Sequence, residues 1–483
     1  MPRIEFDSLR AEIAQLHATH AIGRVSRVEA GFLRITGLER MARIGDRLRL
    51  TRTDSPVLEG EVVGLGSGDL MMLPDGAPEG VALGQPVVLL GPADIAPSHA
   101  WLGRVIDPSG LPLDGRPLLR GVAARPLLGT PPAPGLRRGF GERLETGMAV
   151  LNTMLPLVRG QRIGLFAGSG VGKSSLLAHL ARYMQADVVV VALIGERGRE
   201  LHDFIETVLG ADGMKRAVVI AATSDRSALV RRRCAWTAMA VAEHFRDQGL
   251  HVLLLADSIT RFAEAHREVA VAGGEPASLR GFPASMAHTI MSLCERAGPG
   301  SADSGDITAV FTVLVAGSDM DEPVADILRG TLDGHVILDR QIAERGRYPA
   351  IDVLRSVSRS LPAAATEAEN TLISEARRLL GAYQQSEVMI RAGLYVDGSD
   401  PLLDRAISVW SELDGFLAEV ERIDSANSFA RLGLILRRAK PIRASVSTPA
   451  TPLVGLATAP MVTRSGAGSG TAAMVSSPGK VTP

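Results

Sequence analysis

The stretch QRIGLFAGSGVGKSS, residues 161–175, decides the fold of this 483-residue chain. Its apolar first half, residues 161–166, predicts a buried β-strand, and residues 174–184 predict a helix. A glycine-rich loop between a strand and a helix turns backbone N–H groups toward an anion, and the helix N-terminus adds the positive end of its dipole. The stretch therefore predicts a phosphate-binding loop in an α/β domain.

The loop supplies the candidate nucleotide contacts. Its glycines let the backbone turn, Lys173 can reach the β- and γ-phosphates, and the Ser174 hydroxyl can bind Mg²⁺. The predicted nucleotide-binding residues of the loop are Gly168, Ser169, Gly170, Val171, Gly172, Lys173, Ser174 and Ser175. Ala167 stands where this motif usually has its first glycine. The alternative is a glycine-rich turn with an exposed lysine, and the flanking strand and helix disfavour it.

Two carboxylates follow other predicted strands. Asp257 comes directly after residues 251–256, and Glu196 follows residues 187–194. Because the carboxyl ends of parallel strands meet at one edge of a sheet, both acids are expected near the loop. We expect Asp257 to hold Mg²⁺ together with Ser174, and Glu196 to polarise an attacking water. The alternatives are a helix N-cap for Asp257 and a surface acid at a helix start for Glu196.

The remaining sequence predicts the surrounding domains. Further strands at 217–222 and 307–315 alternate with helical segments, which indicates a mainly parallel sheet covered on both faces. Residues 367–385 and 404–422 have helical patterns. The predicted organisation is an N-terminal amphipathic helix (1–21), a small β-barrel (22–95), a nucleotide domain (96–364), a helical domain (365–440) and a disordered tail (441–483).

The predicted N-terminal helix carries an apolar stripe. Phe6, Leu9, Ile13 and Leu16 recur at three- and four-residue spacing. Such a stripe either packs on its own domain or binds a partner helix, and the sequence leaves both open.

Composition excludes several classes of protein. Lys+Arg is 52 and Asp+Glu is 53, so the chain lacks the broad positive surface of a protein that coats nucleic acid. Phe32 is the one aromatic residue between 22 and 93, so the predicted barrel has no stacking platform for bases. The longest apolar run, residues 188–194, is far shorter than the ~20 residues of a membrane span. With two cysteines in unrelated contexts, the chain is expected to be cytosolic.

Several ordered motifs together resemble the type III export ATPases, most closely the flagellar branch. They are GSGVGKSSLL (168–177), ALIGERGRE (192–200), LLLADSITRFAEAHRE (253–268), VAGGEP (271–276) and ERGRYPAIDVLRSVSR (344–359). The resemblance covers about residues 22–435, and this family is related to the α and β subunits of rotary ATP synthases. It implies an N-terminal β-barrel, a RecA-like nucleotide domain, a helical C-terminal domain and a homohexameric ring that hydrolyses ATP with Mg²⁺ to energise protein export.

The resemblance also implies site residues. It gives catalytic roles to Lys173, Glu196, Arg197, Arg261 and Arg359, contact with adenine to Tyr348, and Mg²⁺ to Ser174 and Asp257. Arg359 matches the arginine that enters the adjacent subunit's site. A surface ion pair is the alternative for this residue.

The partners implied by the resemblance are a regulatory dimer at the N-terminal helix, a coiled-coil stalk protein in the ring pore, an export gate and chaperone–substrate complexes. Membrane association is expected to be peripheral only, and no nucleic acid is expected. Residues 273–276 match loops near the ring axis. The chain departs from the family at VAGSDMDEP (315–323), where an acidic patch is usual, and in its tail.

Four alternatives remain beside the flagellar ATPase. An injectisome secretion ATPase shares all the site chemistry. A rotary synthase catalytic subunit is disfavoured by the export-type motifs, and a non-catalytic ring subunit by the presence of Glu196. An RNA-translocating hexamer is disfavoured by the near-zero net charge and the barrel's lack of aromatic residues.

Overall fold

The computed structural model describes residues 19–29, 31–52, 56–315 and 320–439, together with positions 6, 7, 9–11 and 13. The predicted tail at 441–483 and most of the predicted helix at 1–21 lie outside the described residues. The described positions between 6 and 13 are helical, and the apolar side chains of Phe6, Leu9 and Ile13 are all exposed.

An antiparallel barrel forms the N-terminal part of the described chain. Its six strands close in the order β1-β2-β5-β4-β3-β6. Alternate side chains, such as Leu33 and Ile35 of one strand, fill the barrel interior, as the two-residue period of a strand requires. The strands are β1 (Ile22–Glu29), β2 (Phe32–Thr36), β3 (Arg47–Leu50), β4 (Leu58–Leu65), β5 (Leu70–Pro74) and β6 (Pro86–Gly91).

An eight-stranded sheet forms the centre of the molecule, in the order β16-β15-β10-β14-β13-β11-β12-β8. All neighbours in it are parallel except β15 and β16. Its strands are β8 (Arg104–Ile106), β10 (Arg162–Ala167), β11 (Val188–Glu196), β12 (Ala217–Thr223), β13 (His251–Asp257), β14 (Asp306–Leu314), β15 (Gly334–Leu338) and β16 (Val357–Ser358). A separate pair consists of β7 (Asp94–Ile95) and β9 (Arg125–Pro126).

Helices cover both faces of this sheet, and each face has its own apolar core. The five predicted strands of the nucleotide domain are all present, and the fold class is confirmed. The helices of this part are Ala149–Thr153, Lys173–Tyr183, Gly198–Asp203, Gly210–Met214, Ala228–Arg246, Ile259–Ala272, Ser285–Glu295, Pro323–Thr331 and Arg340–Glu344, with a π-helical stretch at Phe204–Leu209. Short 3-10 helices lie at His99–Trp101, Pro134–Leu136 and Leu279–Gly281.

Three helices, Glu367–Arg391, Pro401–Phe416 and Ser425–Arg438, form the C-terminal part of the described chain. The prediction of one helix over 404–422 was wrong at its end. The chain leaves the helix after Phe416, and Asp424 caps a new helix by accepting a hydrogen bond from the Asn427 N–H at 2.8 Å. Within the described residues, no helix is both long and apolar enough to span a bilayer.

A buried ion cluster joins the barrel to the nucleotide domain. Glu61 of β4 lies 2.6 Å from Arg232 Nη2 and 3.6 Å from Arg233 Nη2, and both arginines are buried in helix Ala228–Arg246. The Arg232 guanidinium also lies 4.9 Å from the centre of the Trp236 ring. A second contact lies nearby, where a side-chain carbon at Gly273 would come within 3.3 Å of the β4 carbonyl oxygen of Val63.

We expect Glu61→Gln to destabilise the fold strongly, because it removes the carboxylate that pairs with two buried guanidinium groups. Breaking a buried ion pair from one side costs about 3–5 kcal/mol, measured as the free energy of unfolding by thermal or urea denaturation. The matched control is Glu59→Gln on the same strand, whose pair with the half-exposed Arg49 contributes about 0–1 kcal/mol. Equal losses in the two variants would contradict this account.

Candidate active site

The glycine-rich loop connects the end of β10 to helix Lys173–Tyr183. Gly170 and Gly172 have φ angles of 78° and 90°, a region that favours glycine. The first N–H groups of a helix have no partner within the helix, so they face the loop as donors for an anion. Ala167 is the last residue of β10 and pairs with Leu314 and Leu338, so the missing first glycine falls in regular strand.

Asp257 is the last residue of β13 and is only 4% exposed. Its Oδ1 accepts hydrogen bonds from the Lys173 ammonium and, at 2.6 Å, from the Thr312 hydroxyl. The cap of the next helix is Ser258, whose hydroxyl faces the Arg261 N–H at 3.4 Å. The alternative role of Asp257 as the helix cap was therefore wrong, and its carboxylate points to the lysine of the loop.

Glu196 is the last residue of β11 and is 8% exposed, so it is not the surface acid of the alternative interpretation. Its Oε1 lies 3.9 Å from Lys173 Nζ and 3.6 Å from Arg261 Nε. Burial raises the pKa of Glu196 to about 7, aided by a hydrogen bond with Glu200 and by the negative charge of Asp257. The carboxylate can therefore take up a proton near neutral pH, as a general base must.

The predicted arginines divide into two groups. Arg261 belongs to the cluster, because its Nη1 donates to the Gly195 carbonyl oxygen at 2.6 Å. Its Nε is buried 3.6 Å from Glu196 Oε1 and has no hydrogen-bond partner among the described residues. Arg197 stands apart from Arg261, because its side chain is exposed and pairs with Glu200 at 3.4 Å.

Tyr348 and Arg359 are both exposed. The Tyr348 side chain is beside the loop, because a carbon added to Gly172 would meet its ring at 3.2 Å, and the residue is 51% exposed. Arg359 is exposed and donates to the Arg329 carbonyl oxygen at 3.2 Å. Within the described part of the chain it has no ion pair, so the alternative of a local surface ion pair finds no support.

The side-chain oxygens at the loop edge of the sheet are suitable ligands for Mg²⁺. The Ser174 hydroxyl is exposed and has no hydrogen-bond partner in the described chain, and Asp257 adds a carboxylate. Hard oxygen ligands in small number suit Mg²⁺, which shares its coordination with substrate phosphates and water. Among the described residues there is no group of three His, Cys, Asp or Glu side chains that could hold a metal by itself.

Thr312 is not among the site residues predicted from the sequence, and the structure places it against Asp257. A threonine among the apolar residues 309–314 was visible in the sequence, but its meaning depends on strand order. β14 lies between the loop strand β10 and the acid strand β13. Only that order turns the Thr312 hydroxyl into a neighbour of the site.

Lys173, Asp257, Glu196 and Arg261 therefore meet at one sheet edge beside an anion-binding loop. A lysine and an arginine can bind phosphate oxygens, one carboxylate can hold a metal, and the other can take a proton from water. This arrangement defines a phosphate-loop nucleoside triphosphatase.

Comparison with known protein families agrees with this site. Residues 147–358 match the model of the ATP synthase alpha/beta family, nucleotide-binding domain, and residues 365–432 match the T3SS EscN ATPase C-terminal domain. The chain is 44% identical over 441 residues to the flagellum-specific ATP synthase of Caulobacter vibrioides, covering 89% of this chain and 99% of that protein. It is 41% identical over 414 residues to the type 3 secretion system ATPase of Xanthomonas euvesicatoria, covering 85% and 93%.

Comparison with solved structures also finds similarity to a type III secretion ATPase. The assembled ATPase EscN of the enteropathogenic E. coli type III secretion system superposes with a TM-score of 0.79 at 35% identity, covering 86% of this chain and 100% of that one. This chain therefore belongs to the ATP synthase alpha/beta family, in the branch of the flagellum-specific and type 3 secretion ATPases, and it is a nucleotide-binding ATPase.

We expect Glu196→Gln to abolish most hydrolysis and yet to stabilise the fold. Loss of a general base lowers kcat by about 10²–10⁴. Folding raises the pKa of Glu196 from 4.5 to about 7. The charged carboxylate therefore lowers the free energy of unfolding progressively as pH rises through that interval. Glutamine has no charge to bury, so the variant's Tm should exceed that of the parent chain at pH 8, with the gap narrowing toward pH 4.5.

The matched control is the exposed Glu206→Gln, for which no such gap is expected. Differential scanning calorimetry between pH 4.5 and 8 measures both variants. A Tm of Glu196→Gln below that of the parent chain at pH 8 would refute the burial penalty.

Proposed function

We propose that this chain hydrolyses ATP with Mg²⁺ to energise type III protein export for flagellum assembly, in which export substrates are released and unfolded at a membrane gate. The meeting of Lys173, Asp257 and Glu196 at one sheet edge carries the chemical part of this proposal. Similarity to flagellum-specific ATP synthases over nearly their full length supports the biological part. The second candidate is an injectisome ATPase, because type 3 secretion ATPases match at 41% identity or more.

In the proposed reaction, the loop N–H groups, Lys173 and Arg261 bind the phosphates of ATP. Ser174 and Asp257 would hold Mg²⁺. When bound, this ion neutralises part of the negative charge of the phosphates. Glu196 orients the attacking water and accepts its proton. The water oxygen forms a bond to the γ-phosphorus, while the bond from the γ-phosphorus to the oxygen that bridges the β- and γ-phosphates breaks. ADP leaves with that oxygen, and the raised pKa of Glu196, caused by burial, suits it to this base role.

Tyr348 and the remaining loop residues complete the proposed nucleotide site. The half-exposed Tyr348 ring stands beside Gly172, where it can stack on the adenine. The loop set is Gly168, Ser169, Gly170, Val171, Gly172, Lys173, Ser174 and Ser175. Arg197 is assigned a catalytic role with less support from this chain, because its side chain is directed to Glu200 and solvent.

We propose that the active form is a homohexamer and that Arg359 acts in the neighbouring subunit's site. The support is an exposed guanidinium that donates to the Arg329 carbonyl oxygen, together with the assembled form in which EscN has been solved. An arginine supplied in trans stabilises the charge of the transition state and contributes about 10³–10⁵ to kcat. Each site is then incomplete without its neighbour.

This assembly predicts complementation between two inactive variants. Arg359→Ala and Lys173→Ala should each lose most ATPase activity, measured as phosphate release. A mixture should recover part of it, because a neighbour that retains Arg359 completes a site that retains Lys173. The control Arg340→Ala, an exposed arginine paired with Glu344, should keep the parental rate. Full activity of Arg359→Ala alone would rule out the trans role.

The proposed partners follow the same family. A coiled-coil stalk in the ring pore is supported by EscN having been solved with its central stalk EscO. A regulatory dimer at the N-terminal helix is supported by the exposed Phe6, Leu9 and Ile13. Export gate and chaperone–substrate complexes complete the set, with no nucleic acid. The proposed location is the cytoplasm and, peripherally, the inner face of the cytoplasmic membrane.

A deletion strain separates the two candidate systems. Complemented with the parent chain, it should swim and release flagellin; complemented with Lys173→Ala, it should do neither, because nucleotide chemistry is required. Swimming on soft agar and flagellin in the medium are the measurements. Normal swimming of the uncomplemented strain would contradict the flagellar assignment and favour the injectisome.

A further inference from the structure

Thr312 sits where the sheet brings the loop strand and the acid strand together. It belongs to β14, whose neighbours on either side are β10 and β13. In the register, Thr312 faces Leu165 of β10, and its neighbour Phe311 faces Ala256, the residue before Asp257. The Thr312 side chain is fully buried, and its hydroxyl donates to Asp257 Oδ1 at 2.6 Å.

Packing alone gives no reason for a hydroxyl at this position. From Ala309 to Leu314 the other residues of the strand are apolar, and valine has the shape of threonine without its polar atom. A buried hydroxyl is costly unless it is hydrogen-bonded, and here it is bonded to a charged acceptor. The hydrogen bond to Asp257 therefore accounts for the hydroxyl at this position, whereas packing in the apolar core does not.

The contact also selects between the two oxygens of the Asp257 carboxylate. Lys173 and Thr312 both donate to Oδ1, and Oδ2 has no hydrogen bond from the described residues. With one oxygen held from the central strand, rotation of the carboxylate is restricted and the other oxygen keeps its direction. Groups that hydrogen-bond to a metal-binding carboxylate set its orientation, and removing them typically weakens metal binding 10–100-fold.

We propose that Thr312 is a positioning residue for nucleotide-bound Mg²⁺: its hydroxyl fixes the Asp257 carboxylate so that Oδ2 faces the metal and its water. This inference rests on the proposed function, since it assumes that Mg²⁺ binds between Asp257 and the phosphates. Thr312 touches neither substrate nor metal and acts through Asp257.

The chain offers a matched control on the same strand. Thr308 is also fully buried, and its hydroxyl is also hydrogen-bonded, 2.9 Å from the Gly160 N–H and 2.8 Å from His251 Nε2. It precedes Thr312 by four residues, away from the strand end that carries the site. Thr308→Val therefore removes a comparable buried hydroxyl without touching Asp257.

The experiment titrates MgCl₂ into the full-length chain bound to a fluorescent ADP analogue, starting in EDTA, and follows fluorescence. Thr312→Val should raise the half-saturating Mg²⁺ concentration about 10–100-fold, while the affinity for the analogue in EDTA stays within twofold of the parent chain. Thr312→Ser should restore Mg²⁺ binding to near the parental value, and Thr308→Val should leave it unchanged. If Thr312→Val does not fold, Thr312→Ala replaces it with the same expectations.

An unchanged Mg²⁺ midpoint in Thr312→Val would overturn the proposal. So would equal shifts in Thr312→Val and Thr308→Val, or failure of Thr312→Ser to restore binding, because each outcome indicates packing and not the hydroxyl. Lys173→Ala tests the assumption separately. If that variant binds the analogue in EDTA as tightly as the parent chain, the nucleotide does not bind at this loop. That result would contradict the proposed function itself, whatever the Thr312 variants show.

Discussion

The contact between Lys173 and Asp257 determines how the rest of the site is arranged. Burying an ionised carboxylate costs several kcal/mol unless a cation compensates it, and this edge of the sheet holds two carboxylates. Lys173 is in direct contact with Asp257 and 3.9 Å from Glu196, so its charge is shared unequally. Asp257, which pairs directly with the lysine, is suited to binding a cation. Glu196, which is farther from the lysine, is suited to taking up a proton. Two identical types of chemical group thus acquire different roles from their surroundings.

Strand order makes this charge arrangement possible. The edge where β10, β14, β13 and β11 end carries the loop, Thr312, Asp257 and Glu196 in turn. The bodies of these strands are almost wholly apolar and buried on both faces, and their charged residues stand at the ends. The two apolar cores hold those ends so that oppositely charged side chains lie within 4 Å of each other.

The apolar strands and the loop were predictable from the sequence because each is a local pattern of six to nine residues. β16 and β8, of two and three residues, were too short to carry such a pattern. The C-terminal helices were only partly predicted, since Asp424 begins a new helix that apolar spacing alone does not separate from the previous one. Helix ends are decided by single caps, which periodicity does not describe.

In the site, local motifs predicted Lys173, Asp257 and Glu196, and the structure brings them together. Asp257 and Ser258 are both good capping residues, so only backbone geometry decides between them. The approach of Tyr348 to Gly172 and of Thr312 to Asp257 joins residues far apart in the chain, and depends on a topology that the sequence does not display. Family resemblance implied that Tyr348 contacts the adenine, and nothing in the sequence implied the contact between Thr312 and Asp257.

Helix Ile259–Ala272 has one end at the site and the other at the barrel. It begins two residues after Asp257, and Gly273 at its far end packs against the backbone of β4 at Val63. Fourteen residues make a rod of about 21 Å, and a tilt of about 5° displaces the far end of such a rod by about 2 Å. Such a tilt at the site end would move Gly273 against the barrel, because the glycine has no side chain and a carbon added to it would lie only 3.3 Å from the Val63 carbonyl oxygen.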